Sequence, residues 1–255
     1  MKSINIQSCS KTDKGRIRSN NEDSLYCNDT LKLFIIADGM GGHSAGEIAS
    51  KIAINTISNF LGQKLEKIDP EEFHMNDFLL ESLSIANSKI LEECINNHSL
   101  KGMGTTAVIV LVSKKGNLYI ANIGDSRAYL IDNKIEKISR LTKDHTLVEE
   151  LYDQGVISTS EKKKHPLRHI ITQALGLMSN IRPFINELKF SVDEYLLLCS
   201  DGLTEMLTDE EILMILNDVN YVSVEAKCNR LVETANIKGG VDNISVILLK
   251  NIGYN

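Results

Sequence analysis

Only three prolines occur among 255 residues, and neither a low-complexity tract nor a repeat of fixed period accompanies them. A linker between folding units normally shows as such a stretch, so residues 1–255 are expected to form a single domain. With 42% hydrophobic residues a chain of this length can bury a sizeable core. No apolar run approaches the ~20 residues of a membrane span, and Met1-Lys-Ser-Ile-Asn-Ile6 lacks the apolar stretch of a signal peptide. A cytoplasmic protein is expected. Positive charge is short: 28 Lys and Arg face 34 Asp and Glu, a net charge of −6, which argues against nucleic acid as a partner. The five cysteines, Cys9, Cys27, Cys94, Cys199 and Cys228, include no C-x-x-C pair and suit reduced thiols. None has an arginine six residues on, and the Walker A and G-x-S-x-G patterns are absent. Side-chain nucleophiles of those types lose their sequence support.

What the chain does have is a set of acidic residues at strand ends and turns: Glu22, Asp23, Asp38, Asp201 and Asp242. Leu33-Phe-Ile-Ile-Ala37 and Tyr195-Leu-Leu-Leu-Cys199 have the length of buried strands, and Asp38-Gly39 and Ser200-Asp201-Gly202 follow them. Each run therefore ends in a carboxylate, and the glycine after it permits a sharp turn or a close backbone approach. Taken singly, an Asp before Gly is most often a turn former. Gathered in one place, several carboxylates repel strongly unless protonated or neutralised by a cation. Oxygen ligands without His or Cys favour Mg²⁺ or Mn²⁺ over zinc. More than three carboxylates exceed what one Mg²⁺ takes from protein, which implies two ions. Such a pair lowers the pKa of a bridging water and orients it for in-line attack on a phosphoryl centre. Arg18, four residues before Glu22, has the planar fork that suits phosphate.

The ordered series Asp13-Lys-Gly-Arg-Ile-Arg18-Ser-Asn-Asn-Glu22-Asp23, Asp38-Gly-Met-Gly-Gly-His43 with Gly46-Glu47, Gly104-Thr-Thr106, Asn122-Ile-Gly-Asp125-Ser-Arg127, Leu141-Thr-Lys-Asp-His145, Ser200-Asp201-Gly202 and Gly240-Val-Asp242-Asn243 resembles the metal-dependent Ser/Thr protein phosphatases of type 2C in their compact bacterial form. The resemblance runs from residue 13 to residue 243. It implies an α+β fold, a four-layer α-β-β-α sandwich in which two antiparallel sheets pack face to face between helices. It implies two Mn²⁺ or Mg²⁺ ions, with Asp38 bridging them and Asp201 and Asp242 completing one shell. Glu22 and the Gly39 carbonyl would serve the other ion. Asp23 would hold a metal-bound water, Asn243 would support Asp242, and Asp125 with Asp201 would hold a third, weaker ion. Arg18 would grip the substrate phosphate, and His43 would be the candidate general acid. The implied partners are phosphorylated Ser/Thr proteins and a cognate Ser/Thr protein kinase, met by a monomer. Two alternatives stay open: a phosphohydrolase for small phosphate esters, and a pseudophosphatase that binds phosphoproteins without turnover.

Residue patterns place these motifs on a scaffold. Ser44-Ala-Gly-Glu47 reads as a capping box opening a helix with Ile48, Ile52, Thr56 and Phe60 at helical spacing. Asp69-Pro-Glu-Glu72 opens a second, with Leu79, Leu83, Ala86, Ile90 and Cys94 on one face. Residues 105–112, 118–123 and 127–131 read as a meander of short strands. Helices follow at Thr208-Asp-Glu-Glu211 and over residues 223–235, and the last strand starts at Ile244. Between Asp144 and Leu175 polar residues dominate and Lys162-Lys-Lys-His165 precedes Pro166. The resemblance makes this segment a flap beside the cleft; its lysines read as a solvated face or as a contact for substrate.

Overall fold

The computed structural model describes residues 3–41, 45–68, 74–132, 134 and 136–254, without the side chain of residue 163. Eleven strands form two sheets among these residues, and every pairing is antiparallel. The first sheet has the order β1 (Ile4–Asp13), β11 (Ile244–Tyr254), β10 (Tyr195–Cys199), β7 (Arg127–Asp132), β8 (Lys137–Arg140). The second runs β2 (Asp23–Asn28), β3 (Leu33–Met40), β5 (Ala107–Val112), β6 (Asn117–Ile123), β9 (Phe184–Lys189), with the short β4 (Gly104–Thr105) paired to β3. Helices α1 (Ala45–Leu65) and α2 (Met75–Asn96) cover the second sheet. On the other side lie α5 (Asp201–Thr204), α6 (Asp209–Asn217) and α7 (Val224–Ile237), while α3 (Leu147–Asp153) and α4 (Thr159–Lys164) belong to the 144–175 segment.

Strand alternation divides the apolar residues among three cores. On β3, Phe34 and Ile36 point into the layer between the sheets, where they meet Val108, Val110, Leu196, Leu198, Ile247 and Leu249. Their neighbours Leu33, Ile35 and Ala37 face the other way, against Ala49, Ala53, Ile57 and Leu61 of α1 and Leu79, Leu83 and Ile90 of α2. The first sheet does the same with Leu197, Cys199, Val246 and Leu248, which pack on Ile212, Leu216, Leu231 and Val232. Strands buried on both faces read as unbroken apolar runs. Three cores between four layers make the α-β-β-α sandwich.

Two expectations change. Of the expected face Thr56 is buried, but Ile48 is exposed and Ile52 and Phe60 are only partly buried, while Ala49, Ala53, Ile57 and Leu61 are fully buried. Small alanines let the helix lie close to the sheet, and that face carries too little hydrophobicity to stand out as a pattern. The strands after Gly104 are not one meander: β6 pairs with β5 and β9, but β7 pairs with β10 and β8 in the opposite sheet. Gly124-Asp125-Ser126 carries the chain across, with Gly124 at φ +96°, a conformation that favours glycine. The crossing sets Asp125 at the end of the sandwich. The α6 box is present in full: the Thr208 hydroxyl receives the Glu211 N–H and the Glu211 carboxylate receives the Thr208 N–H. The Asp69-Pro-Glu-Glu72 start and Ser44 lie outside the described residues.

Candidate metal centre

A cleft of about 1000 Å³ opens at one end of the sandwich, lined by Arg18, Glu22, Asp38, Gly39, Asp125, Asp201, Asp242 and Asn243 among others. These come from five separate stretches of chain. Asp38 is near the end of β3 and pairs across to Asp23 at the start of β2. Asp201 opens α5 directly after β10, and Asp242 stands just before β11, which pairs with β10. Asp23 does not line the cleft; it lies beneath it, where its Oδ2 accepts the Ser200 hydroxyl at 2.8 Å. His43 lies outside the described residues.

Close backbone approach explains the glycines. A Cβ on Gly39 would stand 2.1 Å from the Gly46 carbonyl oxygen, and one on Gly46 would stand 2.3 Å from Glu22 Oε2. The start of α1 is thereby pressed against Asp38-Gly39 at the end of β3 and against Glu22. A Cβ on Gly202 would come 2.0 Å from the Asn243 carbonyl oxygen, which keeps the Asp201 and Asp242 turns together. The Asn243 backbone N–H donates to Asp242 Oδ1 at 2.8 Å. Its side chain does more: the amide oxygen accepts from the Glu22 N–H at 2.8 Å and the NH₂ donates to the Lys14 and Asn20 carbonyls. One asparagine thus holds the Arg18–Glu22 loop to the Asp242 turn.

Residues without an assigned role in the sequence reading prove to be supports. Thr106 Oγ1 accepts the Asp38 N–H at 3.0 Å, and the Thr106 N–H donates to the Asp38 carbonyl at 2.9 Å. The Thr105 hydroxyl donates to the same carbonyl at 2.8 Å. Ser200, besides holding Asp23, accepts the Ser245 N–H at 3.0 Å. The Gly104-Thr-Thr106 and Ser200-Asp-Gly202 motifs were the available signal, but a hydroxyl's target is visible only once the strands are side by side.

The electrostatics are those of crowded carboxylates. Burial, then Asp23, Asp201, Asp125 and Asp242, holds Asp38 well above the usual carboxylate range. Burial, then Asp125, Glu205, Asp242 and Asp23, does the same to Asp201. Burial pushes Asp23 and Asp125 each up to about 6. Oδ1 of Asp23 and Oδ1 of Asp201 are buried without a hydrogen-bond partner, and buried polar atoms of that kind call for an explanation. Among the described residues no three acidic, histidine or cysteine side chains stand in a ready-made metal cage. The carboxylates share one cleft instead, and Arg18 Nη2 sits on Asp242 Oδ2 at 2.6 Å. The shared cleft and the mutual repulsion weigh more than the missing cage, because hard ions that keep several waters take only one or two carboxylates directly. An all-oxygen donor set in the cleft, with Asp201 Oδ1 buried and unsatisfied, fits Mg²⁺ or Mn²⁺.

A second cavity, of about 950 Å³, shares Asp125, His169, Asp201, Glu205 and Val241 with the first. The 144–175 segment walls it through a charged chain: Arg127 grips Asp144 with Nε and Nη2, Arg140 bridges Asp144 and Glu149, and Lys162 Nζ ends on Glu149 at 2.7 Å. Lys162 also stands over the Tyr152 ring, so this lysine of the basic run is committed to an internal contact. His169 pairs with Glu205 at 2.7 Å.

The protein phosphatase 2C family profile matches residues 16–236. The serine/threonine phosphatase stp of Listeria monocytogenes is 37% identical over 243 residues, covering 94% of each chain. The crystal structure of the Mycobacterium tuberculosis serine/threonine phosphatase PstP superposes with a TM-score of 0.87 at 33% identity, over 98% of this chain and 100% of the other. The PstP catalytic domain in complex with two manganese ions superposes with a TM-score of 0.84 at 32% identity, over 98% and 99%. The chain belongs to the protein phosphatase 2C family.

Proposed function

We propose that this protein is a metal-dependent protein serine/threonine phosphatase that hydrolyses phosphoserine and phosphothreonine in protein substrates. The observation that carries this reading is the convergence of Glu22, Asp38, Asp125, Asp201 and Asp242 with Arg18 on one cleft. A module that only bound phosphoproteins would have no use for so costly a concentration of buried carboxylates. When bound, a pair of Mn²⁺ or Mg²⁺ ions neutralises that charge and supplies an activated water at neutral pH.

The chain's own residues divide the remaining work. Asp38, Asp201, Asp242 and Glu22, with the Gly39 carbonyl, would hold the ions, and Asp125 with Asp201 would hold a further, weaker one. Asp23, out of the cleft, orients water for an ion, and Asn243 sets the Asp242 turn. Arg18 is the phosphate clamp: its guanidinium, half-exposed at the cleft and resting on Asp242 Oδ2 at 2.6 Å, would bind a phosphoryl oxygen of the substrate. His43 is the donor of a proton to the leaving alkoxide. The protein acts as a monomer in the cytoplasm, opposed by a cognate Ser/Thr kinase.

Turnover of a phosphothreonine peptide against a sugar phosphate, both with Mn²⁺, tests the substrate class. The peptide is expected to have the higher kcat/KM; a preference for the sugar phosphate would make the protein a small-ester phosphohydrolase. General-acid help is worth roughly 10²–10⁴-fold. His43→Ala should therefore slow the phosphopeptide far more than an aryl phosphate, and equal slowing would remove His43 from the chemistry.

A further inference from the structure

His145 stands at the foot of the 144–175 segment, and its two polar backbone groups and Nδ1 are all engaged. The Gly124 N–H donates to His145 Nδ1 at 3.1 Å, while the His145 N–H donates to the Gly124 carbonyl at 2.9 Å. Gly124 is the residue before Asp125. Only glycine fits there, since φ is +96° and an added Cβ would lie 2.5 Å from Thr106 Cγ2. The same Thr106 holds the Asp38 backbone. The other end of the segment arrives here as well. The Thr172 N–H donates to the His145 carbonyl at 2.9 Å, and Thr105 and Leu175 exchange backbone hydrogen bonds at 2.9 and 3.0 Å. Thr105, in turn, holds the Asp38 carbonyl. Both feet of the segment are therefore tied into the backbone that presents two of the clustered carboxylates.

We propose that His145 is a positioning residue that fixes the Asp125 carboxylate for a divalent cation through its two-way contact with Gly124, and so couples the 144–175 segment to the acidic centre. The proposal rests on reading Asp125 as a ligand. An imidazole that accepts an N–H at Nδ1 is neutral and carries its proton on Nε2, and the burial of His145, which lowers its pKa, agrees with that form. Residues that orient ligands from behind typically contribute 10–100-fold in metal affinity, although they never touch the ion.

The test compares His145→Asn, whose amide oxygen falls where Nδ1 was, with His145→Gln, whose amide reaches the Nε2 position instead. Mn²⁺ is titrated into each metal-stripped, folded protein and free Mn²⁺ is counted by its electron paramagnetic resonance signal. His145→Gln should weaken the weakest binding step by about 10–100-fold and leave the tighter steps unchanged, while His145→Asn stays within about threefold of the parent. Parent-like binding by His145→Gln, or equal weakening by both, overturns the proposal. Asp125→Asn in parallel separates the two claims. If it leaves every step unchanged, the ligand reading falls and takes the inference with it; if it weakens the step and His145→Gln does not, only the inference falls. Should His145→Gln fail to fold, hydrogen exchange of the Gly124 amide in the unsubstituted protein decides: protection must rise as Mg²⁺ fills the weakest site, and unchanged protection overturns the coupling.

Discussion

Asp23→Asn should make the metal-free protein more stable at pH 7 while impairing its response to metal. Asp23 is buried, faces Asp38 across the β2–β3 ladder and has its pKa pushed by burial from 3.8 up to about 6. A carboxyl whose pKa is higher in the folded than in the unfolded state favours folding when protonated. That contribution is complete below about 3.8 and is lost as the pH rises through about 6. At pH 7 the shift of roughly two units corresponds to about 3 kcal/mol, at 1.36 kcal/mol per unit. For a chain of this size 1 kcal/mol moves Tm by about 2 °C, so the gain approaches 6 °C. The amide preserves an acceptor for the Ser200 hydroxyl. Thermal melts in chelator at pH 4 and pH 7 measure the effect: the variant should gain at pH 7 and be close to the parent at pH 4. Adding Mn²⁺ should raise the parent's Tm by about 5 °C at a hundredfold excess over Kd, from about 2.7 kcal/mol of linkage, and raise the variant's less. A variant less stable at pH 7, or a gain independent of pH, would refute the reasoning that Asp23 is buried at a cost when charged.

Further outcomes follow from packing, burial and charge. Gly202→Ala forces a Cβ to within 2.0 Å of the Asn243 carbonyl oxygen and should cost about 1–3 kcal/mol in denaturant melts, with activity falling as the Asp201 and Asp242 turns part; an unchanged midpoint would show that these turns are not in contact. The Cys199 thiol, pushed by burial up to about 12, should resist alkylation at pH 8 until the protein unfolds, as counted by mass spectrometry. Arg18→Ala should raise KM more than it lowers kcat, whereas Asp38→Asn should abolish turnover; equal kinetic damage would contradict their separate roles.

Much of this was legible in the chain. β3 and β10 are unbroken apolar runs closed by Asp-Gly or Ser-Asp-Gly, and burial on both faces is what makes such a run. The α6 box named its helix start because the cap is a local interaction. The crossing at Gly124-Asp125-Ser126 was not legible, since a hairpin and a step to the opposite sheet use the same turn residues. The α1 stripe was misread because Ala49 and Ala53 are buried without standing out as hydrophobic. At the centre, the carboxylates could be found by their turns, but the supports Thr106, Ser200 and His145 could not be assigned targets. Thr106 meets Asp38 from 68 positions away and Ser200 meets Asp23 from 177, separations that only the folded sandwich closes. No described helix is long and apolar enough to span a bilayer.

The most direct test of the central claim is hydrolysis of a phosphothreonine peptide by metal-stripped protein titrated with Mn²⁺. Activity should be absent in chelator, rise with Mn²⁺ or Mg²⁺, and stay absent in Asp38→Asn at every concentration that saturates the parent. Full activity without metal, or undiminished activity in Asp38→Asn, would contradict an account in which the clustered carboxylates exist to hold the ions that activate water.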